Sequence, residues 1–169
     1  QGKDVPIFDN KPNYTDEEWE LIRVGFNKMG ELANAKGMKL TVHHHMGTGV
    51  QTAEEVDKLM ELTDPNLVHL LYDCGHLAFS GDDYIAVLKK HVDRVAHVHL
   101  KDVRPAIIDE VKDNKLCFLD AVKMGAFTVP GDGALDFDSI FDILKEANYE
   151  GWMVVEAEQD PAKANPLEY

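Results

Sequence analysis

Cysteines, basic residues and long apolar runs are all scarce in this sequence, and each shortage argues against a class of protein. Two cysteines in 169 residues are too few for a small disulfide scaffold and favour a reducing cytoplasm, although a disulfide between them stays possible. No segment approaches the roughly 18 apolar residues of a membrane helix. With 17 basic residues against 31 acidic ones and a net charge of −14, a nucleic-acid partner is not expected.

The chain also lacks an initiating methionine and a charged-then-apolar leader, so we expect no signal peptide and a position inside a longer protein. No Gly-x-Gly-x-x-Gly follows a strand-like segment, which argues against a nucleotide-binding doubly wound sheet. Its length fits one domain. Histidine is what the chain has in excess, because five of its eight histidines lie in two tight clusters.

Helical and strand-like segments alternate along the chain. Capping residues and helical periodicity predict helices over residues 15–37, 52–62, 84–90 and 138–147, with shorter helical segments at 107–111 and 118–124. Apolar runs between them predict four strands, at 39–45, 67–72, 95–100 and 152–156, followed by a tail that is a short helix or irregular. Because helices separate the strands, the sheet should be parallel. A closed eight-stranded barrel needs around 250 residues, which is more than this chain has. Its length and its four strands therefore predict an α/β fold that is half of a (β/α)8 barrel.

Every predicted strand ends in polar residues. The first strand ends in three consecutive histidines, and alternation puts His43 and His45 on one face and His44 on the other. The later strand ends carry acids, bases and a lysine: Asp73, His76, His97, His99, Lys101 and Glu156. Since the carboxyl ends of parallel strands meet on the face where barrel active sites lie, we expect a metal site there. The mixture of imidazole and carboxylate suits Mn²⁺, Co²⁺, Fe²⁺ or Zn²⁺ better than Ca²⁺ or Mg²⁺, which prefer oxygen ligands.

Plainer interpretations exist for each residue taken singly. A lone histidine is more often a satisfied polar residue than a ligand, so His69 and His91 are interpreted as structural. The three histidines could decorate a surface loop, and a glutamate at a strand end could form a simple salt bridge. Polar groups at four equivalent strand ends favour a site, because burying unpaired charge costs several kcal/mol. The Gly131–Gly133 segment is interpreted as a tight turn rather than a pocket rim.

Several motifs carry a family resemblance. Three of them resemble the last metal-binding motifs of the xylose-isomerase-like barrel superfamily, which includes sugar isomerases, ketose epimerases and inosose dehydratases: residues 73–76, 97–102 and 154–156. More specific segments are similar to the inosose dehydratases of inositol catabolism: residues 43–48, the long connection 104–130 and residues 157–161. The resemblance runs from about Thr15 to the end. It implies that residues 1–169 are the C-terminal portion of one TIM barrel domain whose N-terminal half is absent.

The resemblance also implies ligands and cofactors. Position by position, the metal ligands fall on His43, Asp73, His99 and Glu156. The epimerases have a glutamate where this chain has His43, and that difference fits a chemistry other than symmetric epimerisation. His76 matches a substrate-contacting histidine of the epimerases. Mn²⁺ or Co²⁺ and glutathione are the cofactors that the resemblance implies.

The implied activity is that of a carbon-oxygen lyase, which removes water from 2-keto-myo-inositol (scyllo-inosose), a small polyhydroxylated cyclic ketone. A divalent ion on the ketone oxygen would acidify the neighbouring C–H and stabilise the enolate. Glu156 or His45 is the candidate base, and Lys101 or His76 the candidate acid for the departing hydroxyl. For Lys101, a salt bridge to Asp102 is an equally weighted alternative.

Three rival interpretations stay open. A ketose isomerase or epimerase would use the same scaffold and metal, whereas a DNA-repair endonuclease of this fold is disfavoured by the acidic charge. The third is a fragment without turnover. Because half a barrel exposes its inner face and two open strand edges, we expect the chain to self-associate or to pair with a missing N-terminal half.

Overall fold

Helices and strands alternate throughout residues 4–167, which are the residues that the computed structural model describes. The helices are α1 (Asp16–Asn34), α2 (Ala53–Leu62), α3 (Cys74–Ser80), α4 (Tyr84–His91), α5 (Pro105–Asp113), α6 (Phe118–Met124) and α7 (Phe137–Glu146), and a 3-10 turn covers Val92–Arg94. The strands are β1 (Leu40–His43), β2 (Val68–Asp73), β3 (Val95–Leu100), β4 (Asp102–Val103), β5 (Phe127–Thr128) and β6 (Met153–Val155). Residues 156–167 form turns and irregular backbone.

Four strands form one parallel sheet in the order β1-β2-β3-β6. This arrangement confirms the prediction of a partial parallel barrel with four strands and intervening helices. The prediction omits a second, antiparallel pair, in which β4 runs beside β5 and Asp102 lies opposite Thr128. It arises because α5 and α6 turn the chain back on itself within the long connection.

Side-chain caps start several helices, as the sequence predicts for two of them. Thr15 forms a capping box with Glu18 at the start of α1, and Thr52 forms one with Glu55 at the start of α2. Helix α3 is missing from the sequence prediction. It begins directly at the end of β2, where the Asp73 side chain accepts a hydrogen bond from the backbone N–H of His76.

Alternation along the strands separates the core from the site. Residues such as Leu70 and Tyr72 of β2 and Val98 of β3 point into a buried core against α2, α4 and α7. A second, smaller core joins α3, α5 and α6 to β4 and β5 around Phe79 and Phe127. The opposite face of the sheet carries the histidines and acids of the strand ends.

Strand β6 is an uncovered edge of the sheet. Trp152 just before it is 77% exposed, and its own residues Met153, Val154 and Val155 are 48%, 37% and 57% exposed. Among residues 4–167, no helix combines the length and the apolar character needed to cross a bilayer.

Candidate metal and acid–base site

Four side chains from four parallel strands meet at the carboxyl edge of the sheet. Asp73 Oδ2 lies 3.3 Å from His43 Nε2 and 3.4 Å from His99 Nδ1, and His99 Nδ1 lies 3.0 Å from Glu156 Oε2. These are the four residues that the sequence prediction names as ligands. We call them the metal set.

The backbone around Asp73 fixes the centre of the metal set. One carboxylate oxygen of Asp73, Oδ1, caps α3 by accepting the N–H of His76 at 3.0 Å, which leaves Oδ2 facing the site. The Asp73 N–H donates to His44 Nε2 at 3.1 Å. Burial lowers the pKa of His44 to about 3, so this histidine stays neutral as an acceptor. His44 thus points away from the metal set, as alternation predicts, and orients the Asp73 backbone.

The acids of the metal set are ionised. Burial acts to raise the pKa of Asp73, but hydrogen bonding from His43 and His99 outweighs it and holds the pKa well below its usual range. Contacts with His99 and Lys101 lower the pKa of Glu156 to about 2 against the opposing effect of burial. The carboxylates of Asp73 and then Glu156 raise the pKa of His99 to about 9. The pocket therefore favours positive charge at its centre.

Three members of the metal set, His43, Asp73 and His99, offer ligand atoms within 4.8 Å of one another, and Glu156 adjoins them through its contact with His99. The spacing of neighbouring ligand atoms fits a divalent transition metal. Bonds of about 2.1 Å place neighbouring ligand atoms roughly 3.0 to 3.4 Å apart in octahedral or tetrahedral geometry, the range of the three distances above. His99 Nδ1 and Glu156 Oε2 are both buried and lie 3.0 Å apart, with Asp73 Oδ2 and Lys101 Nζ beside them. Ligand atoms around a shared ion show this arrangement. Two imidazoles and two carboxylates suit Mn²⁺, Co²⁺, Fe²⁺ or Zn²⁺.

A second group adjoins the metal set and consists of His45, His76 and Glu158; we call it the acid–base set. Its ligand-type atoms lie within 4.8 Å of one another. Glu158 lies 3.4 Å from His76 Nε2 and 3.9 Å from His45 Nε2, and the two imidazole rings are tilted by 36° with centroids 3.6 Å apart. The sequence prediction omits Glu158. Its two-residue spacing from Glu156, which puts both on one face of an extended segment, is a signal for it.

Lys101 lies between the two sets and is fully buried. Its Nζ is 2.7 Å from Glu156 Oε2 and 3.4 Å from Asp73 Oδ2 on one side. On the other side it is 3.0 Å from Glu158 Oε2 and 3.1 Å from His76 Nε2. Burial would lower the pKa of Lys101, but the surrounding carboxylates outweigh burial and raise it, so the ammonium stays charged.

The pKa values of His76 and Glu158 have different causes for their shifts. Burial lowers the pKa of His76 to about 4, so its ring is neutral at pH 7. Burial acts to raise the pKa of Glu158, but contacts with His45, His76 and Lys101 outweigh it and lower the pKa. All four predicted catalytic residues, namely His45, His76, Lys101 and Glu156, are therefore brought together.

The predicted alternative of a salt bridge between Lys101 and Asp102 is wrong. The buried Asp102 carboxylate instead accepts backbone N–H groups from the Gly131 loop and from its own neighbour, at 2.8 to 3.0 Å: those of Val103, Gly131, Gly133, Ala134 and Leu135. Gly131 has a φ of +89°, and a Cβ on Gly133 would collide with Asp102 Oδ1. The segment is a tight turn, as predicted. It surrounds the Asp102 carboxylate, for which the sequence prediction gives Lys101 as the alternative partner.

Residues interpreted as structural lie outside both sets. His91 is buried and pairs with Asp57 of α2 at 2.6 Å, and His69 belongs to neither set. Cys74 and Cys117 are both buried and free, so the disulfide left open by the sequence is absent from the described residues.

The fold and the site together define the class of this protein. It is a partial (β/α) barrel, because parallel strands alternate with helices, and it has a candidate metal site, because ligand-type side chains meet at one edge of the sheet. The family model described as xylose isomerase-like TIM barrel matches residues 3–168, and the chain belongs to this family. Two proteins named inosose dehydratase, from Clostridium tetani (strain Massachusetts / E88) and Geobacillus thermodenitrificans (strain NG80-2), are 64% and 60% identical to it. Each alignment covers 100% of this chain and 57% of the relative. The chain therefore spans little more than half the length of these relatives.

Solved structures share the fold. The probable 3-DHS dehydratase AsbF of Bacillus anthracis superposes with a TM-score of 0.68 at 16% identity, over 89% of this chain and 54% of that one. The IOLI protein with a bound zinc atom gives a TM-score of 0.65 at 21% identity, over 89% of this chain and 51% of that one. At these identities the likeness concerns the fold alone.

Proposed function

We propose that this chain is the C-terminal, site-bearing portion of a metal-dependent inosose dehydratase that removes water from 2-keto-myo-inositol. The observation that carries the proposal is the contact between the metal set and the acid–base set, because elimination of water beside a ketone needs both an electrophile and proton-transfer groups. Relatives of that name at 60–64% identity over the whole chain support it.

His43, Asp73, His99 and Glu156 are the proposed ligands, with Mn²⁺ or Co²⁺ the preferred ion and Zn²⁺, Fe²⁺ or Mg²⁺ the alternatives. When bound, such an ion supplies an electrophile that stabilises negative charge on the ketone oxygen as the adjacent C–H is lost. The ionised state of Asp73 and Glu156 keeps both carboxylates ready to bind a cation.

His45 is the proposed base. Its Nδ1 lies 2.8 Å from the Met46 carbonyl oxygen and donates its proton there, which leaves Nε2 to accept a proton. The Glu158 carboxylate, 3.9 Å from Nε2, would stabilise the imidazolium that forms. Glu156, the other candidate, is the weaker choice, because Lys101 and His99 both contact its Oε2 and lower its pKa to about 2.

Lys101 is the proposed acid for the departing hydroxyl. It is a buried ammonium at the junction of the two sets, whereas the low pKa of His76 leaves that ring uncharged and a poor acid at neutral pH. The backbone N–H of Met46 points at His76 Nδ1 from 3.4 Å, which assigns that nitrogen as an acceptor. The ring proton is then on Nε2, which faces Glu158 at 3.4 Å, so His76 serves to hold Glu158 in place.

The proposal is tested with Glu156→Gln, which keeps the shape of the side chain and removes its charge. We expect metal affinity to fall at least roughly tenfold, the loss typical of disturbed metal surroundings, together with a loss of turnover. Bound metal and the dione absorbance formed from inosose are measured together. Glu61→Gln, an exposed glutamate of α2, is the matched control.

Full metal occupancy at a near-normal rate would remove Glu156 from the mechanism. Consumption of a ketose or inosose without dione absorbance would instead favour the isomerase or epimerase alternative. Because relatives extend well beyond this chain, the assay is run on the chain and on the longer protein.

The domain organisation, the association and the location of this protein are also proposals. Coverage of 57% of the relatives supports assigning this chain to one part of a single barrel domain. The exposed β6 edge supports self-association or pairing with the remainder of the barrel. Two free thiols agree with a cytoplasmic location. The glutathione requirement stays a prediction from the resemblance.

A further inference from the structure

Among the described residues, two groups of ligand-type atoms at the strand ends have the same composition. His43, Asp73 and His99 form one trio, and His45, His76 and Glu158 form the other. Each trio holds two imidazoles and one carboxylate within 4.8 Å. By ligand chemistry alone, both trios could hold a divalent cation, and the site would then be a two-metal centre.

The Lys101 ammonium lies next to the place that an ion in the second trio would take. An ion bonded to both His76 Nε2 and Glu158 Oε2 at about 2.1 Å would occupy the gap between them. That gap faces Lys101 Nζ, which is 3.1 Å from the first atom and 3.0 Å from the second. The Phe127 ring, whose centroid is 4.9 Å from Nζ, lies beside the ammonium and is itself buried. The lysine is therefore held by packing and charge together.

Charge counting distinguishes one ion from two. The three carboxylates of the joined site, those of Asp73, Glu156 and Glu158, carry three negative charges. One divalent ion in the metal set and the Lys101 ammonium carry three positive charges, so the site is neutral. A second divalent ion beside the buried ammonium would leave an excess of two positive charges at a half-buried site, which is unfavourable without further anionic partners.

We propose that Lys101 is a built-in cation that fills the second trio and restricts this centre to a single divalent ion. The lysine thereby converts the second trio from a metal site into a set of proton-transfer groups. This inference rests on the proposed function, because it takes the metal set as the site of the one bound ion.

The test counts Co²⁺ bound by the wild-type chain and by Lys101→Met, which keeps the length of the side chain and removes its charge. Each protein is saturated with Co²⁺ and dialysed against metal-free buffer, and bound cobalt is then measured by elemental analysis and by its visible absorption. We expect one equivalent for the wild type and two for Lys101→Met. Adding Glu158→Gln to Lys101→Met should return the count to one, since the second trio then loses its carboxylate.

Lys58→Met is the control for the loss of one positive charge. Lys58 lies on the outer surface, where its ammonium pairs with Asp16 and lies over the Trp19 ring. This variant should bind one equivalent. Circular dichroism establishes that each variant is folded.

The outcomes distinguish a failure of the Lys101 inference from a failure of the proposed metal set. One equivalent in both the wild type and Lys101→Met, or two in the wild type, overturns the role of Lys101 and leaves the metal set standing. No bound cobalt in the wild type overturns the metal set, and the inference with it. If Lys101→Met does not fold, Glu158→Gln alone decides: the single wild-type equivalent should persist, and its loss would assign the ion to the second trio.

Discussion

Strands β3 and β6 both deliver side chains to the site, yet their surroundings are opposite. β3 is central, with Val98 fully buried, and it ends in His99 and Lys101. β6 is an edge strand with every residue at least 37% exposed, and Glu156 and Glu158 follow it. Packing therefore fixes one side of the site. On the other side, ion pairs to Lys101 and the backbone hydrogen bonds to β3 hold the acids in place.

The packed side should be the more sensitive to mutation, and Asp102→Ala should have the largest effect. The change removes the acceptor of five backbone N–H groups beside the end of β3. We expect a loss of about 3 kcal/mol or more in the free energy of unfolding, because buried donors left without partners are costly. Urea titration followed by circular dichroism measures it.

Asp142→Ala, at an exposed position of α7, controls for the removal of a carboxylate. It should change the free energy of unfolding by less than about 0.5 kcal/mol. A loss below about 1 kcal/mol in Asp102→Ala would show that the Gly131 loop holds its conformation without the carboxylate.

A matched pair of valines compares the two strands directly. Val98→Ala in β3 should cost about 2 kcal/mol of unfolding free energy, since a fully buried side chain loses contacts and leaves a cavity. Val155→Ala in β6, where the side chain is 57% exposed, should cost less than about 0.5 kcal/mol. The same urea titration serves for both. Both titrations are run at chain concentrations below the range of self-association, and equal losses would contradict the comparison of the two strands.

Trp152→Ser addresses self-association at the open β6 edge, and its expected effect of about 1.4 kcal/mol on the association free energy is smaller than those of Asp102→Ala and Val98→Ala on unfolding. Trp152 is 77% exposed beside the open edge, so we expect the wild-type chain to self-associate at micromolar concentration and the variant to associate roughly tenfold more weakly. Static light scattering over a concentration series gives the constants. Leu167→Ser removes a side chain that is 94% exposed in the tail and should leave association unchanged. A monomeric wild type would contradict the expectation.

The sequence predicts most of the helices and the four parallel strands, because capping residues and apolar periodicity specify them locally. Thr15 and Thr52 are caps with glutamates three residues on, and both begin helices as expected. The ligand candidates are predictable because parallel strand ends must share an edge and alternation selects His43 over His44. These rules need only the order of the segments.

What the sequence does not reveal depends on residues far apart in the chain. The antiparallel pair of β4 and β5 forms between segments that two helices separate. Asp102 is adjacent to Lys101, but its partners lie some thirty positions further along the chain. Helix α3 follows β2 without a loop, so periodicity alone merges it with the strand end. Its signals, a capping Asp73 and a left-handed Gly81, are individually weak.

The two oxygens of Asp73 have different tasks, and this division links the site to the scaffold. Oδ1 accepts the N–H of His76, the third residue of α3, while Oδ2 faces His43 and His99. A cation bound at Oδ2 would withdraw electron density from a carboxylate that also caps the start of a helix. We therefore expect the hydrogen exchange rate of the His76 amide to change when an ion binds, which would make it a local reporter of the bound ion.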